Sequence, residues 1–171
     1  MSELLVLAPL SVEAFAIRSV RPSFRVRTTG MGPARARAMV GQLSGDPASA
    51  LTVLGFGGGL ASDSRLCDIV IADRVLELDL HARPCGDPIV CHGASALQQL
   101  LSGAGLRAQV GPVASVSEII TGDARQRMLA GGAVAVDMES AWVAPAGGGS
   151  PFAVIRVLSD PRERELHQRL P

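Results

Sequence analysis

Short apolar runs recur along this chain, and nearly every one is followed by a stretch with helical spacing. That alternation places the chain in the α/β class, with a largely parallel sheet covered by helices on both faces. Residues 3–8 form the first run, which suits a buried strand and is far too short to cross a bilayer. Leu10, Ala14 and Ile17, with Phe15 nearby, then follow helical spacing. Residues 24–28 alternate apolar and basic side chains, like a strand with one wet face. Pro33 suits the first turn of a helix that runs through Leu43. Residues 50–56 read as another strand, which Gly57, Gly58 and Gly59 are expected to end. Further strands are expected at 68–75, 107–116, 133–136 and 152–158. Further helices are expected at 95–101, at 123–130, from Glu139 and from Pro161. Residues 147–149 read as a flexible break, and 76–93 as a strand plus a long loop.

The chain has 171 residues, which suits a single domain with a real core. At 47% hydrophobic and 19% charged residues it is globular rather than disordered in composition. Its 16 basic residues, all arginine, balance 16 acidic ones, without the basic excess or stripe usual in a nucleic-acid binder. The N-terminal apolar run lacks a basic flank, so a cytoplasmic protein without a membrane span is expected. Cys67, Cys85 and Cys91 are irregularly spaced, and His81, His92 and His167 lack ligand spacing. No metal is therefore expected.

Two stretches place carboxylates where an apolar strand gives way to a loop or helix. They are Asp137-Met138-Glu139 and Ser159-Asp160. Ligand chemistry collects at the carboxyl ends of strands in such sheets, so these acids are expected to face one cleft. Each also has a structural reading. Asp160-Pro161-Arg162-Glu163 matches a helix-capping pattern, and taken alone Asp160 reads as a cap. Glu13 suits the first turn of a helix by its charge, and Glu139 suits a solvated helix position. Gly55-Phe56-Gly57-Gly58-Gly59-Leu60 invites a dinucleotide-binding reading, but the fingerprint's third glycine is replaced by Leu60 and another strand follows. The glycines fit either a tight turn or a close backbone approach to a ligand. Thr29-Gly30-Met31-Gly32-Pro33 is either an ordinary turn or a helix N-terminus that holds an anion.

In order along the chain, Ala8-Pro9-Leu10-Ser11-Val12-Glu13, Thr29-Gly30-Met31-Gly32, Gly55–Leu60, Cys67-Asp68-Ile69-Val70, Val136-Asp137-Met138-Glu139 and Arg156-Val157-Leu158-Ser159-Asp160 resemble the nucleoside phosphorylase superfamily. The likeness is to methylthioadenosine/S-adenosylhomocysteine nucleosidases, and closest to hopanoid-associated phosphorylase-like proteins. It is carried by Ala8-Pro9-Leu10, Gly30–Ala36 and Asp137–Trp142. The resemblance and the alternation together imply a three-layer α/β/α domain over residues 1–171, with a mixed, largely parallel central sheet and a short C-terminus. The resemblance implies cleavage of the N-glycosidic bond of a purine nucleoside or 5′-substituted adenosine-type compound, without a cofactor. It assigns Asp160 as the acid that protonates the leaving purine and Glu13 as the group that activates water. It assigns Met138 and Glu139 to the ribose, and Phe56, Gly57, Gly58, Ile119 and Ser159 to the base and its loop. Gly30, Gly32 and Arg35 are the expected phosphate or 5′-side loop. The resemblance also implies a homo-oligomer, since the superfamily commonly completes its pocket across a subunit interface.

Departures from the family leave two functions open. Phe56 stands where the family has a serine, and Ile119 where it has an aromatic residue that stacks on the base. Pro171 lies 11 residues past Asp160, where the family carries a long helix. Such departures favour a non-catalytic module that binds a nucleoside or a protein. Retention of Glu13, Glu139 and Asp160 favours an enzyme. Hydrolysis and phosphorolysis differ only in the nucleophile. Phosphate would need converging arginines, for which Arg35 and Arg65 are the sequence candidates.

Overall fold

The computed structural model describes residues 4–43 and 48–161. Strand β1 (Leu4–Ala8) leads into helix α1 (Ser11–Val20), followed by β2 (Arg25–Thr28) and α2 (Pro33–Leu43). Then come β3 (Ala50–Gly59), β4 (Ile69–Glu77), β5 (Ile89–Val90) and α3 (Ala94–Gly103). The chain continues through β6 (Ala108–Ser115), α4 (Gly122–Ala130), β7 (Ala135–Asp137) and α5 (Ser140–Val143), a 3-10 turn (Ala144–Gly147) and β8 (Phe152–Asp160). The helix expected from Pro161 lies outside the described residues.

The eight strands form one mixed sheet. β1 lies parallel between β2 and β3, and β3 lies parallel to β8. β8 runs antiparallel to β4, β4 parallel to β6, and β6 parallel to β7. β7 then pairs antiparallel with the last two residues of β3. The pairings β3–β8–β4–β6–β7–β3 therefore close on themselves, and closure removes strand edges in this part of the sheet. Short β5 extends the sheet beyond β4.

The alternating side chains of β1 explain why its apolar run is continuous. Leu5 and Leu7 enter a core shared with Val53, Val70, Val113, Trp142 and Val154. Val6 and Ala8 face a second cluster with Ala14 and Val26. With both faces covered, every position must be apolar. A further core holds Leu60, Leu78, Val116, Ile120, Met128 and Val136. In α1 the inward stripe runs through Ala14 and half-buried Ile17, while Phe15 is 71% exposed. Phe15 is one residue past Ala14, about 100° around the helix, and so faces outward.

Two strand ends differ from the sequence expectation. Gly57, Gly58 and Gly59 do not end β3 but form its last three residues, and none has positive φ. β8 runs past Leu158 to Asp160. The register between them shifts there: Gly57 faces Leu158, and Gly58 faces Asp160. Ser159 is thus the extra residue of a β-bulge, a device that re-aims side chains near functional sites.

Candidate active site

A cleft of about 300 Å³ opens at the carboxyl ends of β1, β3, β7 and β8. Glu13, Glu139 and Asp160 all line it, and all three are buried. Phe56, Gly57, Gly58, Ile119, Met138 and Ser159 line it too. Gly30, Gly32 and Arg35 do not, although Met31 between the two glycines does. The wall is otherwise largely apolar, through Pro9, Leu10, Val116, Ile120 and Val136.

Glu13 sits in the first turn of α1, where its Oε2 accepts the Leu10 N–H at 2.6 Å. Its Oε1 accepts the Phe56 N–H from β3, also at 2.6 Å. The residue therefore fixes the helix start and is itself held by backbone on two sides. This close approach requires Gly55, since a Cβ there would lie 2.6 Å from Glu13 Oε1.

Asp137, at the end of β7, also borders the cleft, but both its carboxylate oxygens accept from protein donors. Its Oδ1 accepts from Ser115 Oγ at 2.6 Å and from the N–H groups of Glu139 and Ser140, each at 3.2 Å. Its Oδ2 accepts from the Ser140 hydroxyl and from Arg156 Nε and Nη2. Burial alone would raise this carboxyl, but Arg156 and the two serine hydroxyls outweigh it and hold it below the usual aspartate range. Arg156, fully buried in β8, also donates to the Phe56 carbonyl at 3.2 Å and to Glu139 Oε2 at 3.4 Å. Burial disfavours its charge, yet Asp137 and Glu139 together raise its pKa.

Glu139 precedes α5 and reaches across to the loop before α2. Its Oε1 accepts the Gly32 N–H at 3.0 Å. One N–H of this glycine loop thus donates to the protein's own Glu139 carboxyl. Burial, with the charge of Asp137, raises the Glu139 pKa despite the opposing pull of Arg156. Met138 packs on the same loop, its Cε 3.8 Å from where a Gly32 Cβ would stand. Gly30 and Gly32 have φ of +78° and +92°, and the Arg35 side chain folds over Gly30.

Asp160 ends β8 with its carboxylate turned to protein donors. Arg125 Nη2 donates to Oδ2, and Ser159 Oγ lies 2.9 Å from Oδ1. The helix it was expected to cap lies outside the described residues. From sequence alone Arg125 has no assigned role, and Arg156 is named only as the start of the Arg156–Asp160 stretch. Their signal was positional. Arg156 alternates with Val154 and Leu158 on the core face of β8, and Arg125 is three residues from buried Met128 on α4. A buried arginine needs an anionic partner, so each pointed to a carboxylate. Arg35 and Arg65 are exposed and outside the cleft wall.

The glycines of β3 have a common physical cause. A Cβ on Gly57 would lie 3.1 Å from Arg156 Cβ, one on Gly58 2.8 Å from Arg125 Nη2, and one on Gly59 2.6 Å from Ser64 Oγ. They admit side chains of this protein, and the turn reading is replaced by close approach.

The same fold occurs in known structures. An S-adenosylhomocysteine nucleosidase from Streptococcus pyogenes, in complex with 5-methylthiotubericidin, superposes with a TM-score of 0.79 at 21% identity, over 95% of this chain and 86% of its own. A mutant futalosine hydrolase from Helicobacter pylori gives 0.81 at 17% identity, over 96% and 89%. A 5′-methylthioadenosine/S-adenosyl homocysteine nucleosidase from Campylobacter jejuni gives 0.79 at 16%, over 95% and 87%. No curated protein matches the chain in sequence. The family model of the phosphorylase superfamily matches residues 23–170, from just before β2 through the Asp137–Glu139 and Ser159–Asp160 ends of the cleft, and the chain belongs to that superfamily.

Proposed function

We propose that this protein hydrolyses the N-glycosidic bond of a purine nucleoside or 5′-substituted adenosine-type compound. The observation that carries this reading is that Glu13, Glu139 and Asp160 face one cleft. In this reading Glu13 takes a proton from water as the oxygen attacks the anomeric carbon. The bond from that carbon to the base nitrogen breaks, and its electrons pass to the base. Asp160 delivers a proton to the departing base, which leaves neutral. Glu139 accepts from the ribose hydroxyls, and these bonds strengthen as positive charge grows on the sugar.

Hydrolysis is favoured over phosphorolysis by the arginines. Among the described residues Arg125 is the one arginine that lines the cleft, and it is engaged with Ile120, Gly59 and Asp160. The test is a screen of the purified protein against a nucleoside panel, with and without phosphate, measuring free base. Release that is unchanged by phosphate supports hydrolysis, and release that requires phosphate overturns it. Ligand binding with no release from any nucleoside supports the non-catalytic module instead.

The same reading takes residues 1–171 as a single three-layer domain in a cytoplasmic homo-oligomer. Among the described residues no helix is long and apolar enough to cross a membrane. Exposed Val12 and Phe15, which do not line the cleft, supply apolar surface for a subunit contact. Light scattering that shows only monomer at micromolar concentration counts against the oligomer.

A further inference from the structure

We propose that Arg125 is a positioning residue for Asp160: it occupies Oδ2 and leaves Oδ1 as the oxygen that passes the proton to the departing base. The inference rests on the reading of Asp160 as the acid, and concerns a residue that reading does not use.

Arg125 lies on the inner face of α4 and is 3% exposed. Its Nε donates to the Ile120 carbonyl at 3.0 Å, and its Nη1 to the Gly59 carbonyl at 3.2 Å and the Asp160 carbonyl at 3.0 Å. One planar group thus joins the turn before α4 to the ends of β3 and β8. With its plane fixed by three carbonyls, Nη2 is aimed at Asp160 Oδ2. Gly58 gives the room, since a Cβ there would lie 2.8 Å from that Nη2.

A guanidinium has donors and no acceptor, so it favours the charged, unprotonated state of the oxygen it meets. Oδ1 differs, because its neighbour is the Ser159 hydroxyl, which can donate or accept. Oδ1 can therefore hold a proton and lose it without leaving a buried donor unpaired. In the transfer the O–H bond at Oδ1 breaks and an N–H bond forms on the base. The carboxylate left behind gains a full charge, which the guanidinium at Oδ2 already faces. Arg125 thus both aims the acid and stabilises its product form.

The experiment compares wild type with Arg125→Met, Arg125→Lys, Asp160→Asn and the Arg125→Met/Asp160→Asn double variant, with base release measured from a 5′-alkylthio adenosine. Loss of one such preorganised donor costs on the order of 10²-fold in kcat. Arg125→Met is expected to lose that much with KM little changed, because the arginine touches the acid rather than the ligand. Arg125→Lys is expected to recover part of the loss. In the Asp160→Asn background the Met change is expected to cost no more than about twofold further, the scatter of independent sites. An alkylguanidine added to Arg125→Met is expected to restore some turnover.

Wild-type kcat in Arg125→Met overturns the proposal, as does a loss confined to KM or a full additive loss in the double variant. If Arg125→Met fails to fold, Gly58→Ala tests the same point by displacing the guanidinium with α4 intact, and unchanged kcat in that variant overturns it. If wild type releases no base from any nucleoside, the acid role itself falls, and the proposal with it. A releasing wild type with an indifferent Arg125 removes the positioning role alone.

Discussion

Arg156 donates to a single oxygen of Asp137, Oδ2, through Nε at 2.9 Å and Nη2 at 2.6 Å, and both side chains are fully buried. The pair lies directly behind the cleft and carries Glu139 on its outer side. Two buried charges gain little over an apolar pair of the same shape, but removing one strands the other. Arg156→Met is expected to lower unfolding stability by about 3–5 kcal/mol in urea titrations. Arg156→Lys is expected to recover little of this, because an ammonium cannot reproduce the fork that meets Asp137, Glu139 and the Phe56 carbonyl together. A Lys variant as stable as wild type would refute that.

Asp137 and Glu139 are expected to affect stability with opposite dependence on pH. The depressed Asp137 carboxyl contributes stability above its ordinary value, about 3.9, that is lost as pH falls through the lower folded value. Glu139 is raised, so its contribution is fully present below about 4.3 and is lost as pH rises through the higher folded value. The deficit of Asp137→Asn should therefore be greatest above about pH 4 and shrink in more acid solution. Glu139→Gln should instead gain on wild type as pH climbs from about 4 toward neutrality. Urea titrations across this range decide the matter, and stability curves parallel to wild type would contradict both signs.

Asp160→Asn is expected to cut base release by about 10²–10⁴-fold, because an amide has no proton of the right kind to give. The amide oxygen can still accept from Arg125, so the loss of stability is expected to be smaller, roughly 1–3 kcal/mol. Full activity together with a much lower melting temperature would leave Asp160 with a structural role only.

Gly55→Ala separates activity from folding at the other end of the cleft. The new methyl group would stand 2.6 Å from Glu13 Oε1, the tip of a flexible side chain. The carboxylate can swing aside at modest cost in stability, but in doing so it leaves the Phe56 N–H. Base release should drop at least tenfold, on the order expected for a displaced general base, while the urea midpoint moves little. Unaltered release would show that the position of Glu13 does not matter to turnover.

Phe56 and Ile119 both line the cleft and are 44% and 43% exposed, leaving apolar surface for a ligand to cover. Covering such surface contributes roughly 25 cal/mol per Å². A 5′-alkylthio adenosine is therefore expected to have a higher kcat/KM than inosine or uridine, and Phe56→Ser to narrow the gap. Preference for unsubstituted inosine in the wild type would sink this.

The order and type of the elements were legible because each rests on local physics. The unbroken apolar run of β1 requires two covered faces, Pro33 fits a first helical turn, and the alternation of β8 marks its core side. Placement of Glu139 and Asp160 at strand ends was legible for the same reason, since it depends on where strands stop, whereas Glu13 entered the site only through the family resemblance.

What the tertiary structure alone decided was what each polar group meets. In sequence the glycines of β3 fit either a turn or a close approach to a ligand, and only the packing shows that Gly55, Gly57 and Gly58 clear space for Glu13, Arg156 and Arg125. These side chains come from 42, 99 and 67 residues away along the chain, and no local pattern encodes such meetings. The sequence by itself determined the strands, the helices and the end of the sheet where acids gather, because hydrophobic periodicity and backbone sterics act over a few residues. The three-dimensional fold decided that Asp137 meets Arg156 and that Asp160 meets Arg125 through Oδ2, because the partner of a buried charge is whichever donor the packing brings within hydrogen-bond reach.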